Sequence, residues 1–368
     1  MPLRPHIAIV AAALGCGGSA SPNLEPTTKA SPTTSAAPTT STPTVPSSRA
    51  WPCSCPEDYD AADFNSWQQG EHVVGRPLHV EPRPQLAIVL HGQGQSPSHH
   101  DQLMRTVNHA GFQLIGVNYP SIPDIEWCQD NLLYSEWGWC SEEMRRARVY
   151  GAEYALTSQV SDVESIVAKA LGILQQAHAE DPEGEWDRFY DVPPAGPITD
   201  HESYIHWDQV LLAGFSQGGS NAAMIARDHR VFGVFMISGP SDPLVSWLDD
   251  AGETPGCARF GVRHDRETMV DYLDVNYGNI GLPGLVASMD ALDVARCDEL
   301  TWPPYGGSQW LSSALEAGDS CTSGNPPHGA MANDVCLNTL EAPTGDPYTL
   351  FRPYLGALCL LGEGNTCD

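Results

Sequence analysis

VLLAGFSQGGSNAAMIA, residues 210–226, changes character near its middle. An apolar run stops at Gly214, Ser216 stands inside the pattern G-x-S-x-G, and small residues then follow at helical spacing. A continuous apolar run of this length predicts a strand buried on both faces, and the small residues predict a helix packed closely against it. The turn between them leaves no room for a side chain at Gly214 or Gly218, because a Cβ there meets neighbouring backbone. Ser216 is thereby held in a strained turn at the edge of the sheet. The helix that begins beside it aims its positive end and its first N–H groups at whatever binds there.

Working outward, the same alternation of strand and helix recurs. QLAIVLHGQG (85–94) and FQLIGVNYP (112–120) are short apolar runs stopped by glycine or proline. SDVESIVAKALGILQQAH (161–178) has helical spacing and a Ser-x-x-Glu start. WDQVLLAGFS (207–216), VFGVFMISGP (231–240) and ARFGVRHD (258–265) read as further strands, and 347–361 as a last helix. Apolar strands separated by helices predict an α/β fold, a mostly parallel central sheet with helices on both faces. Ligands of such sheets bind at the carboxyl ends of the strands, where every chemically interesting turn of this chain falls.

Composition narrows the function. The 368 residues carry a formal charge of −28, and Lys29 and Lys169 are the only lysines. No basic patch is present to neutralise phosphates, which disfavours nucleic acid as a partner. Acidity of this size fits solubility outside the cell better than attraction of a cationic substrate. The opening MPLRPHIAIVAAALGCGGS has a basic Arg4 and an apolar run from Ile7 to Leu14, too short to span a bilayer. It reads as a signal peptide over residues 1–15. ALGC resembles a bacterial lipoprotein processing box, which implies lipidation of Cys16 and anchoring to the cell envelope (outer membrane or cell surface); the alternative is an ordinary secretory signal and a secreted chain. Residues 16–50 are rich in Ser, Thr, Pro and Ala and poor in large apolar residues, so they predict a flexible tether. The folded domain is expected over 51–368.

Eleven cysteines support an exported chain. With Cys16 lipidated, ten remain, an even number that predicts disulfides. Cys128 with Cys140 and Cys359 with Cys367 are the economical local pairs. No paired CxxC spacing suggests a metal site.

Residues 85–360, with VLHGQG and LLAGFSQGG as an oxyanion loop and a nucleophile elbow, resemble an α/β-hydrolase of the serine esterase/lipase type. The resemblance implies an eight-stranded, mostly parallel sheet and a triad in the order Ser, Asp or Glu, His. Downstream of Ser216 that order leaves His229, His264 and His328. His229 lies too close behind the elbow helix, and His264 sits in the strand end expected to supply the acid. His328, in the Gly/Pro-rich SGNPPHGAMAND, is where the family places its base. The acid is expected at Asp265, which ends FGVRHD, with Asp242 in GPSDP as the alternative. The N–H groups of Gln93 and Gln217 are the expected oxyanion donors, and His91 is expected to hold the loop by hydrogen bonds. No metal or organic cofactor is required, and no GxGxxG or GK[ST] loop favours a nucleotide.

Two segments bear on specificity. Residues 121–160 carry Trp127, Tyr134, Trp137 and Trp139 around Cys128 and Cys140, either as a flap at the substrate entrance or, the favoured reading, as a small satellite core. TWPPYGGSQWL (301–311) reads as a pocket wall or a rigid surface loop. The function expected is hydrolysis of a carboxylic ester (lipid, polymer or acylated carbohydrate) by a monomer, with a non-catalytic surface binding protein as the alternative. A peptidase is disfavoured, since no propeller or large cap is visible.

Overall fold

A computed structural model describes residues 65–361 apart from 79, 124–125, 152–159, 244–245, 250–251, 283, 290–307, 341 and 343–345. The expected signal peptide, Cys16, the tether, and Cys367 with its pairing to Cys359 lie outside the described residues.

The described residues open with a hairpin, β1 (Asn65–Gln69) and β2 (His72–Arg76), turned at Gly70, whose φ of 61° favours glycine. Then come β3 (Leu86–Leu90), α1 (Asp101–His109) and β4 (Gln113–Val117). Among the described residues three helices follow: α2 (Glu126–Asn131), α3 (Trp137–Tyr150) and α4 (Ile166–Glu180). The quoted stretch folds as β5 (Val210–Phe215) and α5 (Gln217–Asp228), with Ser216 between them. The remainder comprises β6 (Gly233–Ile237), β7 (Arg259–His264), α6 (Val270–Asn279), β8 (Ala287–Ser288), β9 (Trp310–Ser313), α7 (Pro326–Gly329) and α8 (Phe351–Leu360).

Among the described residues nine strands lie in the order β1-β2-β4-β3-β5-β6-β7-β9-β8. Only β2 runs against its neighbours, and the pairings from β4 to β8 are all parallel. This is the α/β-hydrolase arrangement, with one strand more than the eight expected.

Alternate residues of the central strands feed two cores. Leu86, Ile88 and Leu90 of β3 and Val210 and Leu212 of β5 pack with α4 and α5 on one face. Ala87 and Val89 with Leu211, Ala213 and Phe215 pack with α1 and α8 on the other. Every residue of β3 and β5 is buried, which is why these strands read as continuous apolar runs rather than alternating ones. Each fully buried Leu or Ile contributes about 1.5–3 kcal/mol of hydrophobic stabilisation.

Two local expectations change. The helix predicted from Ser161 starts one turn later, because Ser165 Oγ accepts the Ala168 N–H at 3.2 Å while Asp162–Glu164 forms a 3-10 turn. The end of the predicted 301–311 loop is a strand instead: Trp310–Ser313 pairs in parallel with both β7 and β8. Residues 301–307 lie outside the described set.

Candidate active site

Parallel register places the chemistry. Leu90 stands opposite Gly214, Phe215 opposite Ile237, and Ile237 opposite Val262. The turns after β3, β5, β6 and β7 therefore leave the sheet side by side at one edge, carrying Gln93, Ser216, Ser238 and Glu267 respectively.

Ser216 has φ 54° and ψ −117°, outside the regions L-residues favour. Its conformation is imposed by close packing on every side. A Cβ on Gly214 would overlap the Gly218 carbonyl, and one on Gly218 would overlap the backbone of Leu90 and His91. A Cβ on Gly239 would overlap Ser216 O. The turns after β3, β5 and β6 are thus in backbone contact, and only glycine permits it. Gln217 opens α5, where N–H groups point out of the helix start. Its side chain is buried and donates to Ser121 O at 3.0 Å, while Gly94 N donates to Ser121 Oγ at 2.9 Å. Ser121 therefore ties the loop after β3 to the start of α5. Gln93 itself is exposed on that loop.

His91 holds the loop from beneath. Its Nδ1 lies 2.7 Å from Gly92 O, its Nε2 accepts from Tyr119 N at 3.3 Å, and its ring stacks on Tyr119 at 4.1 Å. An imidazole that accepts at Nε2 carries its proton on Nδ1, so Gly92 O receives a hydrogen bond.

His328 lies in α7, its ring 4.7 Å from that of Phe215, the residue before Ser216. Its carboxylate partner is Glu267, whose Oε2 is 2.6 Å from His328 Nδ1. The Glu267 side chain is fully buried, and its other oxygen accepts from His264 N at 2.9 Å and Ser238 Oγ at 3.2 Å. Donation from Nδ1 to a carboxylate leaves Nε2 as the imidazole's acceptor.

Asp265 is not this partner. It does follow β7 directly, but its side chain is exposed and its carboxylate pairs with Arg263 at 2.6 Å. Two residues further the chain has turned inward, and Glu267 occupies the place expected of Asp265. Asp242 is also engaged elsewhere, buried and bound at both oxygens by Arg145 of α3 at 2.5 and 3.0 Å. The other two downstream histidines have their own partners. His264 contacts Leu315 O and Arg266 N, and His229 stacks on Trp207 and reaches Glu202.

Two disulfides frame these elements. Cys321–Cys336 spans the segment that holds His328, and Gly329 is glycine because a Cβ would come within 2.8 Å of Cys336 Sγ. The expected Cys128–Cys140 bond joins α2 to α3. Trp127 packs with Met144 against it as a satellite core, but Tyr134 and Trp139 are 63% and 50% exposed and do not join.

Burial also sets an acid limit on stability. Desolvation pushes the His91 pKa down to about 4 and that of His100 down to about 3. The unfolded chain protonates both below about pH 6.5, so their contribution is complete above that pH and is lost as pH falls towards 3. Desolvation pushes Asp334 up to about 7, and its contribution runs the other way, complete below the ordinary carboxylate range and lost as pH rises through 7. Two imidazoles outweigh one carboxyl. The melting temperature is expected to fall from pH 7 to 4.5, and more steeply in Asp334→Asn, which lacks the offset. A melting temperature that holds level across this range would contradict the linkage.

Neither a family model nor a curated protein sequence matches the chain. Among solved structures it is similar to a sugar hydrolase (YeeB) from Lactococcus lactis, at 17% identity over 81% of this chain and 96% of that one, with a TM-score of 0.36. A hormone-sensitive lipase from a metagenome library is 13% identical over 61% and 73%, with a TM-score of 0.34. An alpha-beta serine hydrolase homologue from Coxiella burnetii is 14% identical over 60% and 84%, with a TM-score of 0.31. Likenesses this loose say nothing of what the chain acts on, and the fold rests on the strand order and register above. Among the described residues no helix is long and apolar enough to cross a membrane, and no cluster of His, Cys, Asp and Glu suits a metal ion.

Proposed function

We propose that this protein is a serine hydrolase that cleaves carboxylic esters through an acyl-enzyme, with Ser216 as nucleophile, His328 as base and Glu267 as the acid that orients it. The observation that carries the reading is the buried Glu267–His328 pair, at 2.6 Å, on the same sheet edge as a serine held at positive φ. His328 Nε2 takes the Ser216 proton as Oγ adds to the ester carbonyl. The oxyanion is received by the N–H groups of Gln93 and Gln217, each such donor being worth about 3–4 kcal/mol in the transition state. Collapse breaks the carbonyl–alkoxy bond, and His328 returns the proton to the departing alcohol. Water then repeats the sequence on the acyl-enzyme and regenerates the serine.

The substrate class is a lipid, polymer or sugar ester, and the chain works as a monomer outside the cytosol. Residues 1–15 serve as the export signal, Cys16 as the lipid attachment point, 16–50 as the tether and 51–368 as the catalytic domain. Disulfides at Cys128–Cys140 and Cys321–Cys336 support an oxidising compartment.

The test is reaction of the purified protein with a fluorophosphonate probe, alongside p-nitrophenyl esters from acetyl to long acyl. Labelling together with turnover of at least one ester is the expected result. A folded protein that neither labels nor turns over any ester would instead be the non-catalytic binding protein.

A further inference from the structure

His100 has no part in the proposed chemistry, yet it is 1% exposed and sits where three functional segments meet. Its Nδ1 is 2.8 Å from Ala332 O, four residues beyond His328. Its Nε2 is 2.9 Å from Oε1 of Gln95, in the loop that carries Gln93. Its ring lies 5.3 Å from that of Phe215, whose other neighbour is the His328 ring at 4.7 Å. The Gln95 amide in turn covers Gly92, leaving no space there for a Cβ.

The protonation state follows from these contacts. Burial keeps the ring neutral, so it carries one N–H. Ala332 O and Gln95 Oε1 both only accept, so a neutral ring that donates from Nδ1 to Ala332 O also bonds Gln95 when that amide is turned to present its NH2 to Nε2. Backbone contacts alongside keep the two segments in register: Asp334 N donates to His99 O at 3.0 Å, and the Asp334 carboxylate accepts from Asp101 N and Gln102 N at 2.7 and 3.1 Å.

We propose that His100 is a positioning residue that couples the oxyanion loop to the base-bearing segment, through Gln95 on one side and through Ala332 and Phe215 on the other. The inference rests on the serine hydrolase reading. Its consequence is that oxyanion donors and base are set relative to each other by one neutral imidazole rather than independently. Misplacement of either acts on the transition state more than on the bound ester, because the donors point at charge that develops only during reaction.

The experiment compares wild type with His100→Phe, which keeps an aromatic ring beside Phe215 but removes both bonds, with Gln95→Leu and with the double variant. On a p-nitrophenyl ester that wild type turns over, His100→Phe is expected to lower kcat 10- to 100-fold with KM within about twofold. Gln95→Leu should lose a smaller part of kcat, and the double variant should be no worse than His100→Phe alone. His100→Asn, which restores a donor towards Ala332, should recover part of the loss. Unchanged kcat in folded His100→Phe would overturn the coupling, as would losses that multiply in the double variant. If His100→Phe does not fold, Gln95→Leu with wild-type kcat overturns it. A wild type that neither labels nor hydrolyses would instead sink the parent reading.

Discussion

Ser216→Ala is expected to fold as wild type does and to lose ester turnover by about 10⁴- to 10⁶-fold, since removing the nucleophile leaves only binding and the oxyanion donors. Fluorophosphonate labelling should vanish with it. A second substitution separates chemistry from architecture at the same position. Ser216 has φ 54°, a conformation that costs a non-glycine residue about 1–3 kcal/mol. Ser216→Gly relieves that strain, whereas Ser216→Ala keeps it. The glycine variant should therefore melt above the alanine variant while both are inactive. If Ser216→Ala retained turnover or labelling, the nucleophile would lie elsewhere, and the strained turn would be architecture alone.

The elbow was legible in the sequence because its constraint is steric and local. Gly214, Ser216 and Gly218 sit within five residues, and an apolar strand and a small-residue helix flank them. The central strands were legible for a related reason: burial on both faces removes polar residues from β3, β5 and β6, so each reads as a short apolar block. The strands at the sheet's margins gave weaker signals. β1 and β2 mix an exposed Gln68 with the partly covered His72 and Arg76, and β8 has two residues. β9 was hidden because WLSS follows a Gly/Pro-rich run that suggests a loop, while its partner β7 is far away in sequence. His100 was equally hidden, since nothing in SHHDQLM indicates that Ala332 and Gln95 converge on it. The carboxylate that faces His328 was not legible in the sequence. Strand position alone favours Asp265, but Arg263 in VRHDRE pairs with that carboxylate, which stays exposed, and the turn carries Glu267 inward. A carboxylate flanked by arginines is a poor choice for a buried partner of histidine, and that clue was present in the sequence.

That distinction gives the second large effect. Glu267→Gln preserves the shape of the side chain but replaces an oxygen facing His328 with a donor or a weaker acceptor. With the amide NH2 turned to Nδ1, the imidazole must carry its proton on Nε2, where the base is needed, and the fall in kcat should be about 10³- to 10⁴-fold. The amide oxygen can still accept from His264 N and Ser238 Oγ, so the turn after β7 need not unfold. Asp265→Asn should stay within about twofold of wild type, as its carboxylate touches Arg263, which is also held by Asp274 at 2.5 Å. Asp242→Asn serves as the third arm. It leaves Arg145 buried against a neutral partner and should lower the melting temperature by several degrees, the loss of a buried charge partner costing about 3–5 kcal/mol, with kcat of the folded fraction little changed. The three carboxylates thus predict three separate phenotypes: lost turnover with an intact fold, no effect, and lost stability with intact turnover. If Asp265→Asn were inactive and Glu267→Gln active, the short bond to His328 would be structural and the acid would be Asp265 after all.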